Sequence, residues 1–115
     1  YFQHPNAGAQ VVKGGLKPGE DPLNAAAREL FEETGLRARA GIPLGHSDSI
    51  ADGERWHFAL LRVRAPVRKT WRHKTLDDYG HIYTCYWLAL DGPHPFHGRF
   101  ARAWTFIRNA VAQRP

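Results

Sequence analysis

Residues 14–36 read GGLKPGEDPLNAAARELFEETGL, and this stretch carries the strongest local signals in the chain. Asp21 suits a helix N-cap, and Pro22 suits the first helical position, where its missing N–H is harmless. Gly35 suits the left-handed residue that ends many helices. Together these residues predict a helix from Pro22 to Thr34 that follows a glycine-rich loop.

Three acidic side chains share one face of this predicted helix. Glu29, Glu32 and Glu33 stand at positions i, i+3 and i+4, so they project close together at roughly 100° per residue. The opposite face is apolar, and we expect it to pack on a sheet and to aim the acids outward toward a cleft. Its members are Leu23, Ala26, Ala27, Leu30 and Phe31.

Most acidic runs on helices are solvated surfaces, but the energetics of this one favour a bound cation. The like-charged pair Glu29 and Glu33 costs about 0.2–0.5 kcal/mol. Negative charge near a helix C-terminus costs a further ~0.3–1 kcal/mol at an exposed site. Arg28 can offset part of this cost by pairing with Glu32. A divalent cation would explain the remainder, because hard cations take clustered carboxylate oxygens.

The spacing of these residues resembles the Nudix box at every defining position. Those positions are Gly14, Glu20, Arg28, Glu29, Leu30, Glu32, Glu33, Gly35 and Leu36. The resemblance implies a Nudix hydrolase, in which a metal-activated water attacks one phosphorus of a diphosphate. It also implies the α+β Nudix fold, an α/β/α sandwich with a mixed sheet between helices, as a single domain over residues 1–115.

The resemblance assigns metal-binding roles to four residues. Glu32 and Glu33 correspond to the principal Mg²⁺ or Mn²⁺ ligands. Glu29 corresponds to a further ligand or to the base that activates the water, because this role varies across the family. The backbone carbonyl of Lys13 occupies the place where the family often supplies a backbone ligand.

Four other residues of the box correspond to supporting roles. Arg28 and Glu20 match the pair that orients the box, with Arg28 holding a glutamate and Glu20 bracing the loop or binding metal. Gly14 and Gly15 let the backbone approach the metal and the substrate phosphates, because glycine has no Cβ to clash. We therefore group Arg28 with the catalytic glutamates, and the two glycines with the substrate-binding residues.

Outside the box, sequence patterns predict further strands and a closing helix. Alternation over Trp56–Ala65 predicts a half-buried strand, and the β-branched and aromatic run Ile82–Leu90 predicts a more buried one. Apolar residues at helical spacing predict an amphipathic helix over Phe100–Gln113. Gln10–Val12 is typical of a short strand, and Arg68–Lys74 of a basic, turn-like segment.

The beginning of the chain departs from the family pattern. Nudix proteins normally begin with one or two strands before the segment that corresponds to His4-Pro5, and here these strands look absent. The sequence contains no methionine and opens on Tyr1. We therefore expect an N-terminally truncated domain with an incomplete sheet, for which a homodimer could supply a strand.

Composition and charge narrow the class of protein. With 43% hydrophobic residues the chain is globular, and no apolar run is long enough to span a membrane. The net charge of +5 favours an anionic partner, although basic surfaces also serve solubility alone. The single cysteine, Cys85, and the lack of a signal segment predict a cytoplasmic protein.

A basic segment offers a surface for an anionic ligand. Trp71, Arg72, His73 and Lys74 combine an aromatic ring with cations, which suits base stacking and phosphate contacts, or else a solvated loop. Arg72 and Lys74 are the predicted substrate-binding side chains here. RNA is one ligand that the segment could hold, although the sequence shows no recognised RNA-binding motif.

Three smaller groups of residues carry weaker signals. Asp77 or Asp78 could supply the extra acid that many Nudix proteins use, or could simply favour a turn. His94 and His97 have H-x-x-H spacing, but neighbouring prolines indicate a turn rather than a zinc site. Cys85 is expected to be a small buried residue rather than a nucleophile.

These observations leave several functions open. The first hypothesis is a magnesium-dependent hydrolase that acts on a nucleoside diphosphate linked to another group. The alternative enzyme hydrolyses an RNA 5′ end or a dinucleoside polyphosphate. From a different class come a catalytically inactive Nudix-like module that only binds nucleotide or RNA, and a small basic RNA-binding domain.

Overall fold

The computed structural model describes residues 1–64, 68–76 and 78–114. The elements in chain order are β1 (Phe2–His4), β2 (Gly8–Gln10), α1 (Pro22–Thr34), β3 (Ala38–Ser47), β4 (Trp56–Val63), β5 (Thr70–Lys74), β6 (Ile82–Tyr86) and α2 (Gly98–Ala112). One sheet has the order β2-β1-β6-β5 and the other pairs β3 with β4, and every described pairing is antiparallel. Helix α1 contacts both sheets, and α2 packs on β3. The predicted α+β class is confirmed.

Helix α1 has the predicted bounds because both of its ends are capped locally. The Asp21 carboxylate accepts a hydrogen bond from the Asn24 backbone N–H at 3.0 Å. Gly35 adopts a left-handed conformation with φ of 78°, and its N–H donates to the Phe31 carbonyl at 2.8 Å. These bonds satisfy groups that a helix end otherwise leaves without partners.

The expectation that no strand precedes His4-Pro5 is wrong. Strand β1 lies between β2 and β6, where Phe2 pairs with Gln10 on one side and Cys85 on the other. The Phe2 ring is fully buried and stacks on Tyr83 at a centroid distance of 4.2 Å. Strands of three residues are too short for an alternation pattern, so β1 could be recognised only from its partners.

The segment predicted to be a basic turn, Arg68–Lys74, contains the edge strand β5. Trp71 and His73 are half-buried, whereas Arg72 and Lys74 alternate with them and are exposed. Charged side chains on the outer face of an edge strand discourage pairing with other chains. The basic residues therefore mark an edge strand rather than a loop.

Strand β3 was not predicted, because Gly41, Pro43 and Gly45 suggest turns. Its pairing with β4 contains two register shifts, and such irregularities accommodate residues that fit poorly in a regular strand. The predicted strands over β4 and β6 and the closing helix are confirmed, although β6 ends at Tyr86 rather than Leu90. Neither α1 nor α2 is long and apolar enough to cross a membrane.

Two residues of the acidic face of α1 are nearly buried. Glu29 and Glu33 are each only 9% exposed, and Ala25 and Thr34 are buried beside them. Burial of ionised carboxylates is costly unless hydrogen bonds and opposite charges compensate for lost water. The surroundings of these two glutamates therefore decide whether the fold is stable.

We predict that replacing Phe2 will destabilise the whole domain. Phe2→Ala should lower the free energy of unfolding by about 3–5 kcal/mol, because it removes a fully buried ring and leaves a cavity. Urea denaturation followed by circular dichroism measures the change. The exposed neighbour Gln3 provides the control, since Gln3→Ala should stay within about 0.5 kcal/mol of wild type. Wild-type stability in Phe2→Ala would show that β1 is not part of the folded core.

Candidate active site

A single arginine connects three glutamates at the surface where α1 meets the preceding loop. Arg28 donates two hydrogen bonds to the Glu20 carboxylate, at 2.8 and 2.9 Å. Its Nη1 donates to Glu29 Oε1 at 2.6 Å and to Glu32 Oε2 at 3.2 Å. Its Nη2 also donates to the Gly15 carbonyl at 2.8 Å. Because these bonds use the fixed geometry of a guanidinium, they set the relative positions of all three carboxylates.

The contact between Glu20 and Arg28 favours the charged form of both side chains. Hydrogen bonds from Arg28, followed by the one from the Lys17 N–H, lower the pKa of Glu20 to about 2. The same contact with Glu20, and then that with Glu29, raises the pKa of Arg28. Glu20 therefore remains an anion at any physiological pH. Three glutamates, Glu20, Glu29 and Glu32, share the single Arg28, so the cluster has room for a further cation.

The glycine loop lies directly against the glutamates of α1. A Cβ atom placed on Gly14 would come within 1.9–2.2 Å of the Glu29 carboxylate, whereas one on Gly15 would meet no atom within 4 Å. The Lys13 backbone N–H donates to Glu33 Oε1 at 2.9 Å. The absence of a side chain at Gly14 is thus what allows Glu29 to approach the loop.

Side chains from β5 and β6 hold the last turn of α1. The Trp71 indole N–H donates to the Thr34 carbonyl at 2.8 Å. His73 Nε2 lies 3.0 Å from the Glu32 carbonyl, which can only accept, so this nitrogen carries the proton. These contacts fix the helix end that bears Glu32 and Glu33. These contacts join residues far apart in the sequence. The one sequence signal for them is the alternation that places Trp71 and His73 on the same face of a strand.

Cys85 has the structural role that was expected for it. Its thiol is 1% exposed and lies 3.9 Å from the Glu33 carbonyl, near the same helix end. Burial raises the pKa of Cys85 to about 11. The thiol is therefore protonated at neutral pH and is a poor nucleophile.

Asp78 lies in a separate polar cluster, and Asp77 falls outside the described residues. The Asp78 carboxylate accepts hydrogen bonds from His4 Nε2 at 2.9 Å and from the Tyr83 hydroxyl, and His81 Nδ1 lies 3.4 Å away. These contacts lower the pKa of Asp78, with the Tyr83 bond as the largest cause. None of these partners is a glutamate of α1, so Asp78 links β1 to the turn before β6.

The same cluster has the donors of a metal site but is arranged as a hydrogen-bond network. Among the described residues, one set of three ligand atoms lies within 4.8 Å of one another, and it belongs to His4, Asp78 and His81. However, the Asn6 N–H donates to His4 Nδ1 at 2.9 Å, so Nε2 of the neutral ring carries the proton toward Asp78. A metal ion at Nε2 would have to displace that proton and the Asn6 bond.

Different hydrogen-bond donors hold the predicted glutamate ligands. Glu29 and Glu32 converge on one nitrogen of Arg28, whereas Glu33 bonds to the Lys13 N–H. The oxygen donors and the close approach of Glu29 to Gly14 fit a hard divalent cation. The family-implied metal and the residues present are therefore compatible.

A large cavity opens beside these glutamates. It has a volume of about 560 Å³, and Gly14, Gly15 and Glu29 line part of it. Trp56, Trp71 and Trp87 are among its other lining residues. A space of this size, lined by Glu29 and by aromatic residues, suits a nucleotide-sized ligand.

The two predicted basic ligand residues separate in the structure. Arg72 lines a smaller cleft together with Trp71. Lys74 instead extends over the turn between β5 and β6, where a Cβ on Gly80 would lie 3.0 Å from Lys74 Cε. Among the predicted substrate-binding residues, Gly14 and Gly15 line the large cavity, and Arg72 lines the neighbouring cleft.

The fold and this site define a Nudix domain. The NUDIX domain family model matches residues 2–107, and the chain therefore belongs to the Nudix family. Family members generally use a divalent metal, which agrees with the glutamates described above. No solved structure matches the chain.

Several curated relatives carry hydrolase names. The chain is 35% identical over 91 residues to an RNA pyrophosphohydrolase of Psychrobacter cryohalolentis, covering 79% of this chain and 47% of that protein. It is 62% identical over 29 residues to an RNA pyrophosphohydrolase of Rhizobium meliloti, covering 25% and 17%. It is 31% identical over 61 residues to diphosphoinositol polyphosphate phosphohydrolase 3-beta of Bos taurus, covering 53% and 37%. The chain thus spans about half the length of the first of these relatives, or less for the others.

We predict that a methyl group at Gly14 is tolerated far less than one at Gly15. Gly14→Ala should lower the free energy of unfolding by about 1–3 kcal/mol, because its Cβ would overlap the Glu29 carboxylate. Gly15→Ala should change it by less than about 0.5 kcal/mol, because that Cβ meets no atom. Denaturant titration measures both values. Equal stability of the two variants would mean that Glu29 does not lie against Gly14.

We predict that Glu20 contributes stability that disappears in acid. Its pKa is lowered from 4.5 to about 2 on folding, so its contribution is present above 4.5 and is lost as the pH falls toward 2. The stability difference between wild type and Glu20→Gln should therefore shrink over this range. Denaturation at several pH values measures it, with the exposed Asp52→Asn as the control. A difference that is independent of pH would contradict the contact between Glu20 and Arg28.

Proposed function

We propose that this chain is a divalent-metal-dependent hydrolase that cleaves a phosphate–phosphate bond in a nucleotide-like substrate. The observation that carries the proposal is the contact between the glycine loop and α1, where Gly14 lies against the Glu29 carboxylate. Arg28 collects Glu20, Glu29 and Glu32 at the same place. A solvated acidic face would have no need for either feature.

In this proposal Glu32 and Glu33 would hold Mg²⁺ or Mn²⁺ with the Lys13 carbonyl as a backbone ligand, and Glu29 is a further ligand or the base that accepts a proton from the water. The ion supplies charge neutralisation for the diphosphate and a lower pKa for a bound water. Arg28 orients Glu29 and Glu32 through its hydrogen bonds.

Several backbone and side-chain contacts orient the remaining groups. The Lys13 N–H fixes one oxygen of Glu33. Gly14 and Gly15 leave room for phosphate oxygens beside the loop, since neither carries a side chain. His73 and Trp71 hold the carbonyl end of α1, which prevents the glutamates from shifting along the helix axis.

The proton of the attacking water needs an acceptor, and Glu29 is the residue that the geometry favours. Its carboxylate is 9% exposed, lines the large cavity and is held by Arg28. The water oxygen bonds to one phosphorus, the bridging P–O bond breaks, and the other phosphate group leaves. The proton passes to the carboxylate and then to solvent. Little covalent chemistry by the protein is required.

Relatives favour one substrate class among those that the sequence left open. Two of the matched proteins described above are RNA pyrophosphohydrolases by name, and they come from different bacteria. A basic chain with a net charge of +5 also suits a polyanion. We therefore propose that the substrate is a phosphorylated RNA 5′ end, ahead of a nucleoside diphosphate linked to another group.

We predict that Glu33→Gln will abolish most of the hydrolysis. Phosphate or diphosphate release from 5′-triphosphorylated RNA should require Mg²⁺ and fall by about two orders of magnitude or more in the variant, because one of the proposed carboxylate ligands of the ion is lost. Asp52→Asn makes the same charge change at an exposed site and serves as the control. A panel with a nucleoside diphosphate sugar and a dinucleoside polyphosphate identifies the preferred substrate.

The outcomes separate the proposed enzyme from the other classes. Full activity in Glu33→Gln would remove the catalytic assignment. Tight nucleotide or RNA binding by the wild type, with no turnover of any panel substrate over hours, would instead identify a binding module.

A further inference from the structure

A second cleft lies at the carbonyl end of α1, beside the large cavity. It has a volume of about 320 Å³ and is lined by four arginines, Arg37, Arg64, Arg68 and Arg72. Its other lining residues are Thr34, Gly35, Leu36, Val63 and Trp71, none of which is acidic. A concave surface lined by four arginines and no acidic residue favours an anion.

Within the described residues, the four arginines of the cleft form no ion pair, as is also true of Arg39, Arg62, Arg102, Arg108 and Arg114. Arg28, Arg55 and Arg99 form ion pairs with acidic side chains. By contrast, no carboxylate within the described parts of the chain lies within ion-pair distance of the four arginines in the cleft. Their charges are available to a ligand.

One of the four is held in place without being neutralised. The Arg37 guanidinium lies over the Phe31 ring, 4.3 Å from its centroid. A cation–π contact restrains the side chain, but it does not neutralise the positive charge, and the N–H donors can still bind a ligand. Arg37 is therefore partly preorganised for phosphate.

The helix end beside the cleft is less repulsive to an anion than an ordinary helix C-terminus. Carbonyls at such an end carry a partial negative charge. Here the Thr34 carbonyl accepts the Trp71 indole N–H, and the Glu32 carbonyl accepts the His73 ring N–H. These donors offset part of the negative potential that would oppose phosphate binding.

The cleft shares a wall with the large cavity that Glu29 lines. Thr34, Leu36, Val63 and Trp71 line both spaces. A small polyphosphate that reacts at the glutamates would not need the cleft, whereas an extended chain could fill both. The Trp71 ring at the shared wall offers a surface on which a base can stack.

We propose that the cleft lined by Arg37, Arg64, Arg68 and Arg72 binds the phosphodiester backbone of single-stranded RNA whose 5′ end lies at the α1 glutamates. This inference rests on the proposed function for the position of the 5′ end. Arginine suits the task because its planar fork contacts phosphate through two N–H groups. The cleft then selects RNA chains over mononucleotides.

The test measures RNA binding without metal, so that catalysis does not enter. A fluorescein-labelled 12-nucleotide single-stranded RNA with a 5′ triphosphate is titrated with protein in EDTA at several salt concentrations. Arg64→Gln/Arg72→Gln removes two cleft charges, and Arg39→Gln/Arg108→Gln removes two exposed charges elsewhere. Because both double variants have the same net charge, long-range attraction is matched.

The salt dependence distinguishes direct contacts from general attraction. Each lost phosphate contact should reduce the slope of log Kd against log salt by about 0.7 for a single strand, so the cleft variant should lose about 1.4 and the control none. Binding to the cleft variant should also weaken at least tenfold at low salt. Equal slopes and affinities for the two variants would overturn the proposal.

Two further measurements address the ligand and the fold. If the cleft binds a small polyphosphate, inositol hexakisphosphate will compete at micromolar concentration and a trinucleotide will bind as tightly as the 12-mer, which would also overturn the RNA assignment. Circular dichroism checks that both double variants are folded. The proposed function fails separately, through a wild type without Mg²⁺-dependent hydrolysis, because RNA binding in EDTA does not depend on turnover.

Discussion

The structure depends on how the acidic face of α1 is accommodated inside the protein. Glu29 and Glu33 are nearly buried, and ionised carboxylates in that position would destabilise the fold without compensation. Arg28 supplies the opposite charge, and the Lys13 N–H supplies a hydrogen bond. Gly14 makes the arrangement sterically possible, because any side chain there would overlap Glu29. Stability and the candidate site thus depend on the same contacts.

Contacts from the four-stranded sheet extend this arrangement to the rest of the domain. Trp71 and His73 bond to the last turn of α1, and the Cys85 thiol lies near the same turn. Cys85 pairs with Phe2 in the sheet, so the first strand is coupled to the helix through β6. A substitution that displaces β1 would therefore affect the position of the α1 glutamates indirectly, through β6.

Acidic and basic side chains lie in different places around α1, and each group suits a different ligand. Carboxylates at the glycine loop suit a divalent cation, and arginines beyond the carbonyl end of the helix suit phosphate. Trp71 lies between them and lines both cavities. A ligand that carries phosphates along its length matches this distribution better than a compact one does.

Interactions between residues close together in the sequence determined the bounds of α1, and the sequence itself showed which residues belong to the candidate site. Asp21 and Gly35 cap the helix through bonds within a few residues, and the Nudix spacing from Gly14 to Leu36 is a property of the sequence. Only the tertiary structure decided that Glu29 and Glu33 are nearly buried, that Phe2 lies in an inner strand, and that Asp78 joins His4 instead of the α1 cluster. The physical reason is that these features depend on partners far along the chain. Hydrophobic periodicity in the sequence indicates which face of a helix or strand is apolar. It does not indicate which charged side chains will contact each other in the folded protein.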